Sequence, residues 1–240
     1  MQKEILYIAL PYAALVLAAA GSVYSYTKRE FTFSSQSSQF FEGQALFWGV
    51  QPFHWGAVVV LSGHLLCFLF PAAVLSWNAE PARLYAFELA SFAAAVLMLA
   101  GLLILLFRRL ASARLRAVTT PMDYVVLLAL ISQVTLGLLT ALLYRWGSSW
   151  FAAVLSPYLA SLFKLAPAIG GVANMKVIIQ AHVVMAFVVA ALIPFSRLAH
   201  LLVFPLPYLW RPPQLVVWNR DRLSLRDTEA ADTAVRPVNN

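Results

Sequence analysis

The sequence predicts an all-α integral membrane bundle of five transmembrane helices, with the N-terminus outside and the C-terminus in the cytoplasm. Three observations carry that expectation. Hydrophobic residues make up 62% of the 240 residues and charged residues 11%, with a mean hydropathy of +0.78; soluble domains run at about 45–50% apolar and about 25% charged. Five stretches each supply the roughly 20 apolar helical residues that cross a bilayer. Lys and Arg gather on alternate connections between those stretches, as topology rules require. The composition excludes a soluble globular domain, a disordered chain and a fibrous repeat. One cysteine, Cys67, excludes an internal disulfide framework and a cysteine-rich metal or iron–sulfur site. The formal net charge of +7 reads as loop charge rather than as a nucleic-acid footprint.

The spans are expected at residues 5–26, 48–70, 84–107, 124–144 and 177–204, each apolar all round, which suits lipid or a bundle core. The first has Lys3 and a small-residue run at 18–21, as a signal peptide does. Its length, Glu4 and the following Lys28-Arg29 pair favour a retained helix with a stop-transfer flank. Lys28 and Arg29 follow span one, Arg108, Arg109, Arg114 and Arg116 follow span three, and Arg211, Arg220, Arg222, Arg226 and Arg236 follow span five. The opposite side holds Arg83, Arg145, Lys164 and Lys176. This bias puts the N-terminus outside. Two regions follow: residues 1–204 as the transmembrane domain and 205–240 as a polar cytoplasmic tail. Pro205, Pro207, Pro212 and Pro213 make the tail extended. It reads equally as a disordered end or as a strap for a cytoplasmic partner. Between spans four and five, residues 146–174 read as an interfacial stretch with a short amphipathic helix at its centre.

All four histidines fall inside spans: His54 and His64 on the second, His182 and His200 on the fifth. A lone histidine in a helix is commonly a hydrogen-bonded structural residue, but ionisable groups within a membrane mark function by default. Spans two and five run in opposite directions, so depth pairs His64 with His182 and His54 with His200. Two imidazoles facing a gap at each of two depths suit bis-histidine haem. On a straight helix ten residues rise ~15 Å and eighteen rise ~27 Å, so the two ladders differ by ~12 Å. Helix tilt and a kink at Pro194 are expected to absorb part of that. A zinc or copper site would want three or four ligands at one depth. A proton relay would want acids nearby, and Glu88 and Asp123 sit near helix ends.

Four motifs in order now carry a resemblance. They are Ser37-Ser38-Gln39, the F-H-x9-H spacing of Phe53, His54 and His64, the R-R-L-x-S-x-R-x-R-A-x-T-T-x-x-D run over 108–123, and I-P-F-S-R-L-x-H over 193–200 with His182 upstream. Over about residues 37–215 the chain resembles the gamma subunit of membrane-bound respiratory nitrate reductase, the dihaem cytochrome b that anchors that enzyme. The resemblance implies two b haems, His64 and His182 ligating the distal one and His54 and His200 the proximal one. It implies quinol oxidation near the distal haem. Electrons would then pass to an iron–sulfur beta subunit and a molybdenum-containing alpha subunit in the cytoplasm, with nitrate reduced there and not in this chain. The setting implied is the cytoplasmic (inner) membrane of a bacterium or archaeon, and nucleic acid is not an expected partner.

Other residues have two readings each. Arg83, at the start of span three, is an interfacial anchor or a contact for the quinol head group, and the family tends to carry a basic residue there. Arg197 lies three residues before His200, where it either snorkels or meets a haem propionate. Arg109 and Arg116 serve topology, with propionate or partner contacts as the added role. Gly63, beside His64, is a candidate for porphyrin clearance or ordinary helix packing. Cys67 reads as a buried small hydrophobe. The competing functions are a related dihaem anchor of a sulfur-metabolism or other oxyanion complex, and a haem-free anchor or transporter, for which an inverted repeat would be the signature.

Overall fold

The computed structural model describes residues 2–28 and 44–202. The Ser37-Ser38-Gln39 element, Arg29 and the tail from 205, with its arginines and prolines, lie outside the described residues. Among the described residues the fold is helical throughout, with no strand. Five helices are long and apolar enough to cross a membrane: Gln2–Lys28, Ala45–Leu69, Pro81–Ala111, Pro121–Leu143 and Val177–Phe195. They correspond to the five expected spans, the first four with ends shifted by a few residues and the fifth ending well short of 204.

Local chemistry sets several of those ends. Pro81 and Pro121 stand in the first helical turn, where a missing N–H costs nothing. Thr120 and Asp123 form a capping box at the start of span four: each side chain accepts from the other's backbone N–H. Span three ends with Arg108 and Arg109 in its last turn, where cations suit the helix dipole. A short helix, Pro71–Asn78, joins spans two and three.

The spans pack in the order two, three, four, five, one. Spans two and three are the closest pair, because glycines remove side chains where the backbones cross. A methyl on Gly56 would lie 2.5 Å from the Ala94 carbonyl oxygen, and one on Gly101 would lie 2.7 Å from the Phe53 nitrogen. Small residues permit such approach in a bilayer, where packing replaces the hydrophobic effect as the driving force. One core gathers Met98, Leu102, Leu127 and Val134, with Phe53 and Ala57 against it. A second gathers Tyr7, Leu155, Tyr158, Leu162, Val172 and Val183. Apolar side chains such as Trp55, Leu61, Phe107, Leu142 and Val177 stay exposed on the outside of the bundle, as a lipid-facing surface requires.

Two expectations change. The fifth span is not one helix to residue 204. The α-helix stops at Leu192, a short 3-10 turn covers Ile193–Phe195, Ser196 is extended (φ −132°, ψ 175°), and a second 3-10 segment covers Arg197–Leu202. Pro194 has no N–H to continue the ladder, and its ring collides with the preceding turn. Span one braces the break: Gly21 lies against the Pro194 ring, and the Ser25 hydroxyl donates to the Pro194 carbonyl at 3.2 Å. The segment after span four is also more than an interfacial strip. Gly147–Trp150, Phe151–Leu155 and Ser156–Phe163 run on as successive helical pieces, and Ala152, Leu155, Tyr158 and Leu162 are buried. The Tyr158 hydroxyl donates to the Tyr7 carbonyl at 2.9 Å, and Lys3 Nζ donates to the Ala173 carbonyl at 2.9 Å. The start of span one is therefore fastened to the loop that precedes span five. Burial, with Tyr7 and Tyr12 nearby, pushes the Tyr158 phenol above its ordinary range.

Candidate functional site

Spans two and five make almost no backbone contact with each other; they face one another through their histidines. The rings of His64 and His182 have centroids 6.3 Å apart and planes inclined at 48°. The rings of His54 and His200 have centroids 6.3 Å apart and planes inclined at 50°. The two pairs are those that depth selects, and their geometries match. The ~12 Å excess of a straight eighteen-residue helix does not apply to His200, because the α-helix that carries His182 ends at Leu192.

Each imidazole is held by the same nitrogen. Nδ1 lies 2.8 Å from the Val50 carbonyl in His54, 2.8 Å from the Val60 carbonyl in His64, 3.1 Å from the Gln133 carbonyl in His182 and 2.5 Å from the Arg197 carbonyl in His200. A carbonyl oxygen only accepts, so each Nδ1 carries the proton and donates it. Each Nε2 then holds the lone pair, which is the tautomer a metal ligand needs. A nitrogen ligand lies about 2 Å from a first-row metal and each ring centroid about 1 Å behind its nitrogen, so two imidazoles that shared one metal would have centroids roughly 6 Å apart. Both pairs have that spacing. Among the described residues no three His, Cys, Asp or Glu side chains converge, so the donor set is two nitrogens per site, as bis-histidine haem takes. The residues fit haem.

The surroundings orient the rings further. A methyl on Gly137 of span four would lie 3.0 Å from His182 Cε1. Phe151 meets the His64 ring edge-on at 5.4 Å, and Phe53 meets His54 edge-on at 4.9 Å. Near Phe151 the connection is clamped: Glu88 accepts from the Ser148 N–H at 2.8 Å and from its hydroxyl at 2.5 Å, while Asn78 Nδ2 donates to Ser148 and Ser149, both at 2.9 Å.

The other candidates divide. Arg83 is exposed at the start of span three, with its guanidinium 5.2 Å from the centre of the Trp77 ring, a cation–π distance. Arg197 is brought to Asp123, Nε to Oδ1 at 2.8 Å. Arg109 donates to the Thr119 hydroxyl at 3.2 Å and lies 3.8 Å from the other Asp123 oxygen. Arg116 donates to the Leu110 carbonyl. The Cβ position of Gly63 faces Phe87 and Ser91 of span three at 3.6 and 3.7 Å, ordinary contact distances that would admit a methyl. Cys67 is buried, its carbonyl accepting from the Ser156 hydroxyl at 2.8 Å.

The family described as the nitrate reductase gamma subunit matches residues 3–219. The chain belongs to the nitrate reductase gamma subunit family. The nitrate reductase gamma chain of Bacillus subtilis (strain 168) is 28% identical over 214 residues, covering 88% of this chain and 96% of the relative. The respiratory nitrate reductase 1 gamma chain of Escherichia coli (strain K12) is 32% identical over 216 residues, 86% and 93% respectively. The nitrate reductase-like protein NarX of Mycobacterium tuberculosis (strain ATCC 25618 / H37Rv) is 30% identical over 233 residues, which cover 94% of this chain but 35% of that longer protein. With five apolar spans, this member of the gamma subunit family is a multi-pass membrane protein. Gly137 carries no signal in the sequence that sets it apart, and Asp123 reads only as an acid near a helix end. Four residues separate Gln133 from Gly137, one helical turn, and that face of span four meets His182, a relation visible only once spans four and five are side by side.

Proposed function

We propose that the chain is the membrane-anchoring cytochrome b subunit of a quinol-oxidising respiratory nitrate reductase. It holds one b haem between His64 and His182 and another between His54 and His200. It lies in the cytoplasmic membrane of a bacterium or archaeon with its N-terminus outside. Quinol gives up its electrons at the His64 end. They leave at the His54 end for an iron–sulfur subunit and, beyond it, a molybdenum subunit where nitrate is reduced. The observation that carries this reading is the identity of the two pairs: equal ring separation, and the same Nδ1 donor pattern on all four rings.

Haem, when bound, would supply one-electron chemistry, with His64 and His182 holding one group and His54 and His200 the other. The protein's part is orientation and electrostatics. The four backbone carbonyls hold each ring in the ligating tautomer and raise its basicity. Arg109 and Arg197 put positive charge on the His54 side, where propionates are expected, with Arg116 on the same connection. Arg83, at the His64 end, is the candidate for orienting the quinol head group. The basic connection after span three favours a cytoplasmic His54 end, and the Lys3 contact to Ala173 supports an N-terminus at the opposite end. Protons from quinol would then be released outside while electrons move inward, so charge separates without a proton pump.

The test is the dithionite-reduced minus oxidised optical spectrum of the purified native complex, with haem quantified per gamma chain. About two b haems per chain are expected. A complex without haem would overturn the reading.

A further inference from the structure

Asp123 belongs to span four and His200 to the broken end of span five, yet one chain of contacts joins them. Asp123 Oδ2 accepts from the Thr120 N–H at 2.9 Å and from its hydroxyl at 3.1 Å, which fixes the carboxylate on the first turn of the helix. Asp123 Oδ1 meets Arg197 Nε at 2.8 Å, and the carboxylate side chain is only 6% exposed. Arg197 opens the second 3-10 segment, and its backbone carbonyl accepts the Nδ1 proton of His200 at 2.5 Å.

His200 needs such an anchor more than the other three histidines do. His54 and His64 bond to carbonyls of their own continuous helix, and His182 bonds to span four. The carbonyl that holds His200 lies after the extended Ser196, beyond the reach of the α-helical ladder that ends at Leu192. A 3-10 turn of six residues has poor intrinsic stability, so what holds Arg197 holds His200. Lysine would not replace Arg197 here: Nε of the planar guanidinium makes the contact, and an ammonium has no equivalent atom.

We infer that Asp123 is a positioning residue for the haem site formed by His54 and His200, acting through Arg197, so that the Asp123–Arg197 pair is a clasp on the broken span. This rests on the dihaem reading. It gives Arg197 a role that the sequence did not suggest, beside the propionate contact proposed for it, because Nε meets a carboxylate of the chain itself.

The test uses the native complex in membranes, with the variants Asp123→Asn, Arg197→Lys, Asp123→Glu, Thr120→Ala and His200→Ala. An iron with two firm histidine ligands leaves carbon monoxide no position to bind; a loosened ligand opens one. The readout is the carbon monoxide difference spectrum of the reduced complex, with a redox titration of both haems. In Asp123→Asn and Arg197→Lys, the haem that His200→Ala loses is expected to become carbon monoxide-reactive, roughly 10-fold above the parent, and to shift in midpoint potential. The other haem is unchanged, and Asp123→Glu restores parental behaviour at least in part. Thr120→Ala removes one of the two bonds that fix the Asp123 carboxylate but keeps the backbone N–H bond and the Arg197 contact, so its effect is expected to be well below that of Asp123→Asn. Two haems with parental spectra and potentials in Asp123→Asn and Arg197→Lys overturn the clasp alone. Equal perturbation by Thr120→Ala overturns it too, by reducing Asp123 to a helix cap. A parent complex with no haem, or a His200→Ala variant that keeps both, overturns the dihaem reading and the clasp together.

Discussion

The ring of His182 rests directly on Gly137, with Cε1 3.0 Å from where a glycine-to-alanine methyl would sit and Nδ1 and Nε2 each 3.6 Å away. The imidazole also donates to the Gln133 carbonyl of the same helix. Span four therefore fixes both the rotation and the depth of this ring. Gly137→Ala is expected to push the ring off that carbonyl, at an overpacking cost of about 1–3 kcal/mol. Potentiometric titration of the complex should show one haem shifted, the one that His64→Ala removes, and the other at its parental potential.

Span two carries both His54 and His64, and its approach to span three depends on Gly49, Gly56 and Gly101. Gly56→Val puts a branched side chain where a methyl already meets backbone at 2.5 Å. The two helices must separate, and both histidines move with span two. Loss of both haems together is the expected outcome, measured as haem per gamma chain in purified complex. Loss of one haem alone would show that span two does not move as a unit.

Span one contributes no histidine but supports His200 indirectly. Its Ser25 hydroxyl takes the Pro194 carbonyl, one of those left over where the helix breaks. Ser25→Ala should cost about 1 kcal/mol, seen as a lower temperature for release of the His54–His200 haem, with the His64–His182 haem released as in the parent.

Arg83 is exposed and stacked on Trp77, away from both histidine pairs in its contacts. In the proposed function it touches quinol and neither haem. Arg83→Ala is expected to lower kcat/KM for quinol by roughly 10-fold, the loss of one charge-assisted hydrogen bond, with both haem spectra unchanged. A parental rate in this variant would remove Arg83 from the quinol site.

Much of this was legible in the chain. Five apolar stretches and four histidines confined to two of them are properties of composition and spacing, and antiparallel neighbours make the depth pairing a matter of counting. The break in span five was only half legible. Pro194 announced a disturbance, but whether a proline kinks a helix or ends it depends on what accepts the freed backbone groups, here Ser25 on a distant span. Arg197 was read against its neighbour His200 because helical spacing is all a sequence offers; its partner Asp123 belongs to another span. Gly63 stands next to His64 in the chain, and its nearest protein neighbours, Phe87 and Ser91 of span three, are not visible from the sequence. The stripe of Ala152, Leu155, Tyr158 and Leu162 could have been recognised as a buried face from its helical period, and its aromatic neighbours drew attention to the interface instead.

The pairing of histidines is the centre of the account, and single alanine variants at His54, His64, His182 and His200 test it most directly. Each variant complex is titrated potentiometrically with haem quantified per chain. His64→Ala and His182→Ala should lose one and the same redox wave, and His54→Ala and His200→Ala should both lose the other. A different grouping of the four residues, or four variants that each keep both waves, would contradict it.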